Sequence, residues 1–274
     1  MEPSKSVDEA EFDFIKKDIF SEKDEITLRT KLRVEKLQIT TKSHQYLINM
    51  RILAPVIKGK QSILFLHGHG DSPSWRSWIK LALIFYELNY NCFLIDSPGF
   101  GNSLVDGIEG ASFKTWHDDG PELYKLMIEQ IGVKKVFTIA RCGGAALTIR
   151  AICKYPELFE ASHIFHNNMI SYVPEIFEIN LKKNKMKLFV TWNEDPDHLK
   201  LSVGYKWYNK RRKNKADYLN FMDITEEDYF THYFKNPSYK KGNRRLIHYQ
   251  IMDFSQKYID FVVYFIANNK FKDF

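Results

Sequence analysis

Val136-Phe137-Thr138-Ile139-Ala140-Arg141-Cys142-Gly143-Gly144-Ala145-Ala146 decides how the chain is read. Its first half is apolar and β-branched, the composition of a buried strand, and it then continues into alanine and leucine as a helix. Strand, sharp turn and helix with a reactive side chain at the apex is the layout of a nucleophile elbow, most often Gly-x-Ser-x-Gly. Small residues two positions either side of the apex keep the strained turn clear of the neighbouring strand and helix. Here the pattern is Ala140-x-Cys142-x-Gly144, with cysteine at the apex and alanine in place of the first glycine. A helix N-terminus favours thiolate over thiol, so cysteine suits the position. The competing reading is one more buried thiol, the usual fate of a free cysteine. The flanking chain favours the first.

Upstream, Ser62–Leu66 is a continuous apolar strand that runs into His67-Gly68-His69-Gly70-Asp71, a glycine-rich turn able to bring backbone N–H groups close to a ligand oxygen. Residues 74–89 read as a helix, and Cys92–Ile95 as a strand ending in Asp96-Ser97-Pro98-Gly99-Phe100-Gly101-Asn102-Ser103. Pro121 fits the first position of a helix carrying Leu123, Leu126, Met127 and Ile131, with Gly132 as its stop. Downstream, the elbow helix closes at Lys154-Tyr155-Pro156, and short strands follow at Ala161–Phe165 and Met186–Trp192. Before all of these, Ser6-Val7-Asp8-Glu9 has capping-box spacing, with Phe12, Ile15 and Ile19 on one helical face. Arg33–Thr40 and Gln45–Ala54 pair as an expected hairpin at a sheet edge. Strands alternating with helices imply an α/β fold, a mostly parallel sheet covered on both faces. Such sheets carry their sites at the carboxyl ends of the strands, where His67–Asp71, Asp96–Ser103, Cys142, His166–Asn168 and Asn193–His198 all fall.

A length of 274 residues suits one large domain, with residues 1–30 as a helical extension and about 198–243 as an insertion before the last helix. The net charge of +6 is concentrated in Lys210, Arg211, Arg212, Lys213 and Lys215, so the rest is close to neutral. This excludes a distributed nucleic-acid footprint. Three cysteines, Cys92, Cys142 and Cys153, form no disulfide framework and fit a reducing compartment. With no apolar leader and no stretch long enough to span a membrane, a cytoplasmic location is expected. No group of His, Cys and carboxylates has metal-ligand spacing, so neither metal nor cofactor is expected.

Together these segments resemble the α/β-hydrolase superfamily. His67-Gly68-His69-Gly70 is similar to its oxyanion turn, and Asp96 to Ser103 to its Asp-x-x-Gly-x-Gly-x-Ser segment. Ala140–Gly144 is similar to its elbow, and Tyr155-Pro156-Glu157 to the close of the following helix. Cysteine at the elbow occurs in dienelactone hydrolases, in bile-acid-CoA acyltransferases and related thioesterases, and in polyhydroxyalkanoate synthases. The connection between about Asn168 and Met186 is too short for a large cap.

The resemblance implies a chain order of nucleophile, acid, histidine. After the strand Met186–Trp192 it favours Asp195 as the acid, with Asp197 the runner-up and Glu194 a third carboxylate. For the base it favours His248, shortly before a strongly apolar last helix, over His232, whose neighbours are aromatic. The backbone N–H groups of His69 and Gly143 would form the oxyanion hole. The expectation is a hydrolase of a small-molecule ester, lactone or thioester working through an acyl-enzyme on Cys142. Acyl transfer through the same intermediate, and a non-catalytic scaffold of the same fold, are the alternatives. Oligomeric state is not readable from the sequence.

Overall fold

A computed structural model describes residues 5–6, 12, 20–68, 75–107, 113–165, 175–193, 218–224 and 256–271. Their strands form one sheet of ten, β1 (Lys5–Ser6), β2 (Leu32–Thr40), β3 (Gln45–Leu53), β4 (Ser62–Leu66), β5 (Asn91–Ile95), β6 (Leu104–Val105), β7 (Val136–Arg141), β8 (Phe159–Phe165), β9 (Lys187–Asn193) and β10 (Leu219–Ile224). The spatial order is β1-β2-β3-β5-β4-β7-β8-β9-β10, with β6 against β3. The run from β5 to β10 is parallel, while β1, β2, β3 and β6 pair antiparallel.

The helices are α1 (Glu22–Lys31), α2 (Ile79–Glu87), α3 (Phe113–Gln130), α4 (Gly143–Lys154), α5 (Glu175–Lys183) and α6 (Gln256–Asn268). Side chains of a strand alternate between faces. Leu64 and Leu66 of β4 therefore pack with α3, α4 and α5, while Ile63 and Phe65 pack with α1, α2 and α6. Every residue of β4, β5 and β7 is buried, as a doubly covered parallel sheet requires. β5 and β7 flank β4, so the direction of crossover reverses at β4, and the carboxyl ends of β4 and β7 stay side by side.

Ser6 lies in a short strand paired with Arg33, and the helix expected after it falls on residues 7–19, nearly all outside the described residues. Ser21 forms a capping box with Asp24 at the start of α1. Pro121 lies inside α3 rather than at its start. The Gly120-Pro121 pair sits where α3 presses on α4, since a Cβ on Gly120 would be 1.9 Å from Leu147 Cδ1. The backbone bond lost at the proline is accepted there together with that close approach. The stretch at about 198–243 contains β10, which extends the sheet in parallel beside β9.

Candidate active site

Cys142 stands at the end of β7 with φ 50° and ψ −116°, a conformation that L-residues rarely adopt, and α4 begins at the next residue. Its carbonyl accepts the Ala146 N–H at 3.0 Å, closing the first helical turn directly beneath the thiol. Register explains why small residues surround it. Leu66 of β4 pairs with Ala140 of β7, which brings His67 and Gly68 alongside Arg141 and Cys142. A Cβ on Gly68 would sit 2.8 Å from Cys142 Cβ, and one on Gly144 only 2.7 Å from the His67 carbonyl oxygen. Glycine is required at both positions for the two turns to meet.

His67 is buried and uses both ring nitrogens. The Ser97 N–H donates to Nε2 at 2.8 Å, so the ring proton is on Nδ1, which donates to the Gly68 carbonyl at 2.7 Å. It is a strut between the turns after β4 and β5, not a proton carrier. Asp96 is likewise structural. Its carboxylate accepts the Trp75 N–H at 3.1 Å, faces Arg51 Nη1 at 3.8 Å, and lies where a Cβ on Gly101 would collide. Ser103 donates to the Asp96 carbonyl at 2.6 Å and accepts from Asn49 N–H at 2.8 Å. The Asp-x-x-Gly-x-Gly-x-Ser segment is therefore a loop pinned to Trp75, Arg51 and Asn49 by its polar residues. Arg141 is also buried, and its Nε lies 3.5 Å from the position a Gly68 Cβ would occupy.

Of the residues singled out from sequence, the structure brings Cys142 against Gly68, with Gly143 as the first residue of α4. His69, Glu194, Asp195, Asp197, His198, His232 and His248 lie outside the described residues, as does the basic run at 210–215. β9 ends at Asn193, on the same edge of the sheet as Cys142. All three thiols are free, with Cys142 and Cys92 buried and Cys153 half-buried. Burial raises the Cys92 thiol far above its ordinary value and pushes Cys153 up to about 11. No trio of His, Cys and carboxylates suited to a metal exists among the described residues.

Sequence reasoning missed two polar clusters. His163 on β8 is buried, donates from Nδ1 to the Phe189 carbonyl at 3.1 Å, and accepts from the Tyr258 hydroxyl at 2.5 Å. Burial lowers its pKa to about 4, so it is a neutral anchor for α6. Asp119 on α3 is the second. Burial pushes its carboxyl up, but hydrogen bonds from Thr41, His44, Tyr46 and Ser43 outweigh it, and the net shift is downward. This fastens the β2–β3 hairpin to α3. The polar hairpin tip, Thr41 to His44, was the available signal.

A strained cysteine between a buried parallel strand and a helix N-terminus, at the switch point of a mostly parallel sheet, defines an α/β-hydrolase fold. The profile of the serine aminopeptidase S33 family matches residues 58–235, and the chain belongs to that family of hydrolytic enzymes. Among curated proteins it is similar to a 2-hydroxy-6-oxononadienedioate/2-hydroxy-6-oxononatrienedioate hydrolase of Pseudomonas sp., 28% identical over 103 residues, which are 36% of this chain and 34% of that protein. The match thus spans about a third of the relative's length. Among solved structures it resembles a carboxylesterase of Nitrososphaera gargenis, with a TM-score of 0.54, 8% identity, and coverage of 69% of this chain and 90% of that one. It also resembles carboxylesterase CesB of Bacillus subtilis, with a TM-score of 0.50, 11% identity, and coverage of 74% and 88%. Among the described residues no helix is long and apolar enough to cross a membrane.

Proposed function

We propose that the protein hydrolyses a small-molecule ester, lactone or thioester through an acyl-enzyme on Cys142, with His248 as base and Asp195 orienting it. The observation that carries this reading is the backbone of Cys142, φ 50° and ψ −116°, held at the first turn of α4 against Gly68. A thiol in a strained, tightly packed turn at a helix N-terminus serves no packing need that a smaller residue would not meet better. As a nucleophile it gains from that position, because the helix end favours the thiolate. The family is named for serine, so cysteine here changes the nucleophile and keeps the architecture.

In the proposed cycle Cys142 Sγ attacks the substrate carbonyl while His248 takes the thiol proton, and negative charge develops on the carbonyl oxygen. The N–H of Gly143, at the first position of α4 where helical amides have no intrahelical acceptor, and the N–H of His69 receive that oxygen. Each such donor lowers the barrier by about 3–4 kcal/mol in enzymes where one has been removed. Collapse expels the alcohol or thiol with the proton from His248. Water, deprotonated by the same imidazole, then attacks the thioester and frees Cys142. The three free cysteines fit a reducing compartment, and we assign the protein to the cytoplasm.

Intact-mass measurement after exposure to a panel of activated esters and thioesters tests the proposal. A single acyl adduct mapping to Cys142, turning over in water, supports it. Turnover that requires an added amine or alcohol replaces hydrolysis by acyl transfer. The absence of any adduct across the panel, with the protein folded, overturns it.

A further inference from the structure

The end of the sheet opposite Cys142 carries a second organised surface. Two loops meet there, Ala54–Gln61 before β4 and Ile131–Lys135 before β7, around a depression of about 610 Å³. Each alternates aliphatic residues with lysines, as Val56-Ile57-Lys58-Gly59-Lys60 and Ile131-Gly132-Val133-Lys134-Lys135. Val56 and Ile57 are 44% and 39% exposed, and all four lysines point to solvent. A single carboxylate, Glu160, lines the depression, 3.8 Å from Lys135.

The first loop is built rather than slack. Buried Asn91 accepts the Ile57 N–H at 2.8 Å and returns its amide to the Ile57 carbonyl at 3.0 Å, while Tyr86 donates to the Ala54 carbonyl at 2.9 Å. A buried amide thus spends both its ends holding two aliphatic side chains out in water, an arrangement that folding alone does not reward. The lysines are also not explained by helix ends. Lys182 and Lys183 complement the C-terminus of α5, but Lys58, Lys60, Lys134 and Lys135 belong to no helix.

We propose that this end of the protein docks on an anionic lipid bilayer, with Val56 and Ile57 at the acyl boundary and the four loop lysines on the headgroups. Lysines interleaved with exposed aliphatic side chains are what such a surface recognises. A nucleic acid would instead call for exposed aromatic side chains to stack its bases, and this patch has none among its described residues. In the docked orientation Cys142 faces away from the membrane. The six residues of β7 hold Cys142 about 20 Å from the docking end, so the substrate arrives from solution.

The test is co-sedimentation of the full chain with vesicles of phosphatidylcholine alone and of phosphatidylcholine mixed with phosphatidylserine. Binding is expected only to the mixed vesicles and falls with salt. Each lysine near an anionic surface is worth roughly five-fold in partitioning, so Lys58→Gln with Lys60→Gln should lose roughly 25-fold, and the four-lysine variant should lose binding altogether. Val56→Ser with Ile57→Ser should weaken binding and leave its salt dependence. All these positions are exposed, and circular dichroism verifies the fold. Equal binding to both vesicles, no binding, or unchanged binding by the four-lysine variant overturns the proposal. So does loss of binding in a variant neutralised only at Lys210, Arg211, Arg212 and Lys213, or preferential binding of single-stranded RNA over the vesicles.

Discussion

Replacing Cys142 by glycine should make the protein more stable than replacing it by alanine. Both changes remove the sulfur, and they differ only in the Cβ. Alanine must hold φ 50° and ψ −116°, a sparsely populated conformation costing about 1–3 kcal/mol. Glycine adopts it freely, but its unfolded chain gains conformational freedom worth about 0.4–1 kcal/mol. Position 142 is also the N-cap of α4, where glycine is preferred to alanine. The balance favours glycine by about 1 kcal/mol, a melting-point difference of about 2–4 °C for a chain of this size. Thermal melts of the two variants measure it directly. Ala151→Gly, in the interior of the same helix, is the control and should lower stability by about 1 kcal/mol. If Cys142→Gly melts at or below Cys142→Ala while the control behaves as stated, the elbow is unstrained and the argument for a functional apex loses its basis.

The remaining expectations are shorter. Alkylation at neutral pH should modify Cys142 before Cys153 and Cys92, because the N-terminus of α4 favours its thiolate although it too is buried, as peptide mapping would detect; prior loss of Cys153 contradicts it. Gly144→Ala should cost about 1–3 kcal/mol in urea denaturation, because its Cβ would press on backbone at His67 that cannot rotate away. His163 has a folded pKa depressed to about 4 from 6.5, so between those values the unfolded chain binds a proton that the folded chain refuses. Stability should therefore fall by about 3 kcal/mol as pH drops through that window, and the slope should vanish in His163→Phe. A slope that survives the substitution assigns the acid sensitivity to another group.

The elbow, the turn after β4 and the segment after β5 were legible because each depends on local chemistry: a buried strand, a glycine-rich turn and a fixed spacing. What was illegible depends on close approach between distant segments. Nothing near Gly120 announces that Leu147 lies against it, so Pro121 read as a helix start when it is a helix interior. Leu219–Ile224 was lost among aromatic and basic neighbours, since a short strand gains its identity from β9 beside it. His67 carried the opposite lesson. From sequence it belonged to the turn that receives the oxyanion, yet its ring fastens that turn to Ser97 and leaves no nitrogen for chemistry. The clusters at Asp119 and His163 join residues more than seventy positions apart, beyond any local pattern.

The same geometry bears on the choice of base. β10 ends at Ile224, three strands from β7, about 14 Å from the line of Cys142. α6 packs against β8 and β9. Its Tyr258 bonds His163 on β8, the strand next to β7, and Phe271 beyond its end lies under Lys187 at the amino end of β9. Between Tyr258 and Phe271 the chain therefore runs from the middle of β8 towards the amino end of β9. The proposed base remains His248, eight residues before α6, and its rival is His232, eight residues after β10; both lie outside the described residues. His248→Gln should abolish turnover in a folded protein and remove the basic limb of thiol activation, seen as a loss of pH dependence near neutrality in Cys142 alkylation. His232→Gln should leave that profile unchanged. If His232→Gln erases the profile and His248→Gln does not, the base follows β10, and the long connection before α6 serves some purpose other than delivering it.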